Sequence, residues 1–268
     1  MKPNSSIQKL KDKTFVLNLE INQQDIQKEY QETLQSIQKN FETKGFRKGK
    51  APLDVVKDSV SSEKIFEEVA SHVISHAYSE AIKTNDLKPI IQPIVKFKGG
   101  QPDLDHSWQV EITSCELPEI ELSEKYHSEV KKVNEDKDIK DENQRMDKII
   151  KILIDNAKTT LPDILIDSDL QSHLSGLIDQ ANQAGITVNQ YLESQKQTLE
   201  SYKENLKKRI IDEWTINLSI NKIAKDNKIE VSEDEVKAIL DKNPSLSKNI
   251  NMIYYLLTQQ KVFEFLKK

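Results

Sequence analysis

The 268-residue sequence predicts an α+β N-terminal domain followed by an all-α, elongated C-terminal domain. Three observations predict it. Apolar residues recur at every second position, the period of a half-buried strand, at two places within the first 116 positions. Beyond position 146 apolar residues recur at intervals of three and four, the period of an amphipathic helix. Finally, 36% of residues are hydrophobic and 31% charged, against roughly 45–50% apolar in average soluble domains. So high a charge fraction favours a shape with much surface per residue.

In chain order, Phe15, Leu17, Leu19 and Ile21 alternate with Val16, Asn18 and Glu20, which gives a strand with one inward face. Asn22, three before Asp25, fits a helix N-cap. Ile26, Tyr30, Leu34, Ile37 and Phe41 then form one apolar stripe. Gly45 and Gly49 stop that helix. Pro52, a residue favoured at helix starts, introduces a short helix over 53–60. A longer one over 62–84 turns Phe66, Val69, Val73, Ile74 and Ala77 inward. Strands over 90–98 and 107–114 complete the domain, taken as 1–116.

Composition shifts near Leu117. Charges dominate positions 122–147, so 117–133 reads as a linker and 134–268 as the helical domain. Helices are expected over 146–158, 163–184, 188–197, 199–227, 233–241 and 249–267. Thr187 with Gln190 and Ser232 with Glu235 fit capping boxes, in which each side chain satisfies an orphan backbone N–H. The longest helix would extend for roughly 40 Å. The last is apolar along Tyr254, Tyr255, Leu256, Leu257, Phe263, Phe265 and Leu266, which suits either packing or an exposed binding surface.

The charge balance narrows function. Net charge is −5, with 16 cations and 17 acids before position 117 and 23 and 27 after it. A basic surface therefore has to be local and belongs to the first domain. The single cysteine, Cys115, cannot form an intrachain disulfide and reads as a buried, inert thiol. No apolar run is long enough to span a membrane. The N-terminus lacks the apolar stretch of a secretory signal, so the cytoplasm is the expected location. His72 and His76 lie one helical turn apart without a third ligand, and His106, His127 and His173 are isolated. Gly45 and Gly49-Lys50 have the wrong spacing for a phosphate loop, and Ala51 stands where Ser or Thr would hold magnesium. No metal, no cofactor and no catalytic residue is expected.

One stretch carries more information. Thr43-Lys44-Gly45-Phe46-Arg47-Lys48-Gly49-Lys50-Ala51-Pro52 holds four cations and an aromatic ring, with no acid from position 43 to 53. Flanking glycines free its backbone, and like charges push the tip away from the core. Such a loop suits pressing a ring and cations onto a polyanion, where counterion release supplies affinity. The alternative is a solvated loop with Phe46 folded back into the core, and the spacing leaves both open.

Gly45-Phe46-Arg47-Lys48-Gly49-Lys50-Ala51-Pro52 resembles the signature of the trigger factor family, the ribosome-associated bacterial chaperones. Pro118-Glu119-Ile120-Glu121-Leu122 is similar to the end of that family's N-terminal domain. Leu161-Pro162-Asp163-Ile164-Leu165 and the stretches 209–223 and 227–236 resemble segments of its helical domain. The resemblance implies that Phe46, Arg47 and Lys48 dock beside the nascent-chain exit, on a ribosomal protein and adjacent ribosomal RNA. Gly45, Gly49, Lys50 and Pro52 would shape the loop. It further implies that 134–268 forms a cradle for nascent and unfolded polypeptides without ATP, and it allows a weak homodimer off the ribosome. Full-length members carry an isomerase domain between the two parts. Positions 122–146 leave no room for one, hold no glycine, and have one aromatic, Tyr126, so prolyl isomerase activity is not expected. Two other readings stay open: a degenerate isomerase, and a holdase or assembly chaperone that works away from the ribosome.

Overall fold

The computed structural model of the chain describes residues 4–100 and 102–267, in two units divided between Leu117 and Pro118. The first is built on strand β2 (Thr14–Ile21), which pairs antiparallel with β1 (Asn4–Lys9) on one side and β4 (Trp108–Cys115) on the other. Strand β3 (Ile94–Lys98) pairs with β4, giving the order β1-β2-β4-β3. The period of two puts Phe15, Leu17, Leu19 and Ile21 on the same face as Trp108, Val110 and Ile112. Two helices cover that face. Helix α1 (Gln23–Asn40) contributes Ile26 and Leu34, and α3 (Ser62–Thr84) contributes Ile65, Val69 and Val73. Between them, α2 (Leu53–Ser59) buries Val56. Phe66 and Phe97 pack on Trp108 at centroid distances of 5.4 and 5.6 Å. The indole N–H donates to the Asp103 carbonyl, so the one polar atom of that large ring is satisfied.

Both long helices run in the same direction along the sheet. Near the Ile21–Trp108 end, the Gln27 side chain donates to the Leu104 carbonyl at 2.6 Å. Farther along, His72 Nδ1 meets Glu29 Oε1 at 2.8 Å. At the other end, past α3, the Lys88 N–H reaches Glu116 at 2.8 Å, and the Glu116 N–H donates to the Lys13 carbonyl at 3.0 Å. Eighteen helical residues rise about 27 Å and eight strand residues about 26 Å. Helix α1 therefore ends level with the hairpin that joins β1 to β2.

Differences from the sequence reading have local causes. Asn22 does occupy the N-cap of α1, but its side chain makes no capping bond. Strand β3 begins at Ile94 and not at position 90, because Pro93 has no N–H to give the ladder. Strand β1 offers a single apolar side chain, Ile7, and is held by its backbone pairing with β2.

The second unit contains β5 (Ile120–Leu122), α4 (Lys125–Glu135), α5 (Glu142–Asp155) and β6 (Ala157–Thr159). Then come α6 (Asp163–Gln183), α7 (Val188–Ser194), α8 (Leu199–Asp226), α9 (Glu233–Lys242), a 3-10 turn (Pro244–Asn249) and α10 (Ile250–Leu266). The linker expected over 117–133 is corrected here. Residues 120–122 form a strand paired with 157–159. Tyr126 and Val130, 4% and 3% exposed, anchor α4 in a core with Ile149, Leu153, Ile220 and Phe263. Two apolar residues four apart lie on one helix face, which is enough to seat a helix whose other faces are charged. The helical unit thus starts well before position 134.

Helix α8 supports both apolar clusters of this unit. Its second half enters the cluster with α4, α5 and α10, and its first half gives Leu206 and Ile210 to Ile166 of α6. Trp214, between the two, donates to Asp169 Oδ2 at 2.6 Å. At 28 residues, α8 is about 42 Å long.

Helices α9 and α10 are joined by charge. The Ser232–Glu235 capping box forms as the sequence predicts, and the Glu235 carboxylate also accepts from Lys261 Nζ at 2.7 Å. The ammonium and the Ser232 N–H together pull the Glu235 carboxyl from the ordinary 4.5 down to about 2. Since the folded value is depressed, the associated stability is complete above pH 4.5 and disappears as pH falls toward 2. Glu235→Gln keeps the capping box and removes the charge. The gap in melting temperature between wild type and this variant should be widest near neutral pH and close between pH 4.5 and 2. A gap independent of pH would contradict this.

Candidate functional site

The loop between α1 and α2 is closed at its base by backbone and side-chain amides. The Gly49 N–H donates to the Phe41 carbonyl at 3.1 Å, and the Gln38 side chain donates to the Ala51 carbonyl at 2.6 Å. Ala51 itself is buried. Within this frame two four-residue turns follow one another, with the Phe46 N–H on the Thr43 carbonyl at 3.3 Å and the Lys50 N–H on the Arg47 carbonyl at 2.9 Å. Each has a glycine in third place, Gly45 at φ +92° and Gly49 at φ +72°. That is the place where turns of type II require positive φ. A Cβ on Gly49 would come within 2.9 Å of the Lys39 carbonyl oxygen, whereas nothing lies within 4 Å of one on Gly45. Pro52 stands at the N-cap of α2, one residue ahead of the helix, with φ −56°.

Two tight turns in series leave the tip no depth in which to hide a ring. Phe46 is 44% exposed, which removes the alternative of a side chain folded into the core. Lys44, Arg47, Lys48 and Lys50 are exposed around it. Lys48 meets Glu42 at 3.5 Å with both side chains largely in water, an arrangement worth little energetically. The sequence-predicted residues thus come together on one small projection. Sequence reasoning missed the pieces that hold it: the Gln38 amide and the Lys39 carbonyl belong to the last turn of α1, and nothing in their residue types marks them.

Other candidates resolve simply. His72 is bonded to Glu29, and among the described residues no group of three or more His, Cys, Asp or Glu could hold a metal ion. Cys115 is buried at the end of β4. Among the described residues no helix is long and apolar enough to cross a membrane. The last helix divides its apolar residues between two roles. Ile253, Val262, Phe263 and Leu266 are buried, while Ile250, Met252 and Leu256 face outward with Leu246 of the preceding turn. Met252 is 59% exposed. No acid occurs between Asp241 and Glu264, and a cleft of about 470 Å³ lies along residues 247–252.

The family model described as bacterial trigger factor protein matches residues 3–149, and the model of its C-terminus matches residues 121–268. The chain belongs to the trigger factor family. It is 27% identical over 131 residues to the trigger factor of Clostridium botulinum strain Hall, covering 49% of this chain and 30% of that protein. With the trigger factor of Clostridium acetobutylicum it shares 27% over 142 residues, 52% of this chain and 32% of that one. The chain therefore spans about a third of the length of the curated trigger factors it matches. A solved structure described as "Promiscuous Substrate Recognition in Folding and Assembly Activities of the Trigger Factor Chaperone" has the same fold. The two align with a TM-score of 0.64 and 13% identity, over 98% of this chain and 99% of the other.

The loop geometry separates substitutions that harm folding from those that do not. Gly49→Ala should lower unfolding free energy by about 1–2 kcal/mol from the left-handed backbone alone, and the Lys39 carbonyl adds to that. Phe46→Ala should stay within about 0.5 kcal/mol of wild type, since the ring is exposed and lies outside the apolar cluster of this unit. Urea melts of the two variants test this, and a Gly49→Ala melt that overlays wild type would contradict it.

Proposed function

We propose that this chain is an ATP-independent chaperone that docks on the ribosome through Phe46, Arg47 and Lys48 and holds nascent or unfolded polypeptides with its helical unit. The observation that carries the reading is the exposed Phe46 ring, set among four cations on a loop whose base is fixed. An apolar ring in water costs free energy that only a partner recovers. The cations give that partner a sign, and a surface of ribosomal protein beside RNA matches both. The cytoplasm follows as its place of work. The outward-facing Leu246, Ile250, Met252 and Leu256 suit clients of many sequences, since a flexible Met-bearing patch adapts to different apolar segments.

The chain passes from its first unit to its second at Leu117 and Pro118, and the two family matches overlap across 121–149. Nothing separates the two parts that could fold as an inserted isomerase domain. We therefore assign holding without isomerisation.

Cosedimentation with ribosomes tests docking. Phe46→Ala/Arg47→Ala/Lys48→Ala should lose binding while its melt stays near wild type, and wild-type binding should weaken as salt rises because phosphate contacts release counterions. Undiminished binding by the triple variant would refute the docking assignment. Aggregation suppression without any ribosome binding would instead favour an assembly chaperone that works off the ribosome. Refolding limited by proline isomerisation proceeds over tens to hundreds of seconds uncatalysed. Catalytic amounts of this protein should leave that rate unchanged, and acceleration would establish an isomerase.

A further inference from the structure

The hairpin between β1 and β2 repeats the chemistry of the docking loop at the same end of the unit. Lys9-Leu10-Lys11-Asp12-Lys13 places an exposed apolar residue among cations, with Leu10 43% exposed. The turn is tight. The Leu10 N–H donates to the Thr14 carbonyl at 2.7 Å and the Lys13 N–H to the Leu10 carbonyl at 3.3 Å. The one acid of the turn is directed inward, for the Asp12 carboxylate accepts the Thr14 N–H at 3.0 Å. Lys13 adopts φ +71°, a conformation that glycine takes without the steric cost a side chain incurs. Lys9 lies 3.9 Å from Glu116 with its side chain more than half exposed. A cleft of about 320 Å³ opens against Lys9, Lys11, Lys13 and Glu116.

Charge is concentrated at this end. Segments 9–13 and 39–50 hold eight cations and two acids, whereas the remainder of residues 1–116 holds eight cations and fifteen acids. Because α1 ends level with the hairpin, these two segments share one pole of a unit that is nearly neutral as a whole. Asp86 and Glu116 also lie at this pole, whereas Glu20, Asp25, Glu63, Asp103 and Asp105 lie toward the opposite one. Such a separation of charge orients the unit toward a polyanion before contact is made.

We infer that the β1–β2 hairpin is a second contact, in which Lys9 and Lys11 bind the phosphate backbone of ribosomal RNA beside the surface that receives Phe46. This rests on the docking reading above. It makes the contact two-pronged, with the ring on the longer loop fixing position and the hairpin lysines taking phosphates, which carry no sequence information.

The test is ribosome cosedimentation over a salt series with wild type, the Phe46→Ala/Arg47→Ala/Lys48→Ala variant, Lys9→Gln/Lys11→Gln and Lys9→Arg/Lys11→Arg, each checked by thermal melt. The Gln variant should bind more weakly at low salt. The slope of log K against log salt should become shallower by about 1.5, since each lost phosphate contact removes about 0.7–0.9. The Arg variant should restore both. If the Gln variant matches wild type in affinity and slope while the loop variant loses binding, the hairpin contact is refuted and docking by the loop stands. Weaker binding with an unchanged slope would refute the phosphate assignment and favour a ribosomal protein beneath the hairpin. If wild type fails to bind, or the loop variant binds like wild type, the docking reading and this inference fall together.

Discussion

The exposed tip of the first unit depends on one close approach, that of the Gly49 backbone to the last turn of α1. With no Cβ at position 49, the loop can lie against the Lys39 carbonyl and lend its N–H to Phe41. Together with the bond from Gln38 to Ala51, this turns a ten-residue excursion into two short turns on a fixed base. Ordering a residue costs about 1–2 kcal/mol of conformational entropy, so a loop ordered before contact loses less on binding. The helix and the sheet fix where that base lies, because α1 is as long as β2 and ends at the same pole.

The helical unit solves a different problem. Its composition is poor in apolar residues, yet it packs helices α4 to α10 while Leu246, Ile250, Met252 and Leu256 stay uncovered. Helix α8 reconciles the two demands by serving two clusters along its length, so that few residues anchor several partners. Polar fastenings complete the job where burial is thin. Arg145 donates to the carbonyls of Asn134 and Ile139, Asn134 to that of Leu266, and Lys261 pairs with Glu235. These bonds hold the ends of α4, α5 and α10 and leave the outer face of α10 free of packing duty.

What was legible in the sequence was what periodicity and capping chemistry express. The alternation in β2 and β4, the stripe of α1, the capping boxes at Thr187 and Ser232, and the cationic loop around Phe46 all appear in the structure. Elements whose stability comes from partners distant in sequence were hidden. Strand β1 has one inward apolar residue, and β5 and β6 are three residues each, held by one another. Helix α4 was obscured because its seat consists of Tyr126 and Val130 among charges. For the loop, the tip was readable and its support was not, since a backbone carbonyl such as that of Lys39 leaves no trace in residue type.

The chain has two tryptophans, and the fold puts one in each unit. Trp108 sits in the aromatic cluster with Phe66 and Phe97, and Trp214 bridges α8 to Asp169. Their surroundings differ, one stacked among rings and the other hydrogen-bonded to a carboxylate beside water. Indole emission depends on such surroundings, so the molecule contains a separate optical reporter for each half. Replacing either tryptophan with phenylalanine lets the loosening of one unit be followed by its own fluorescence while the other stays silent.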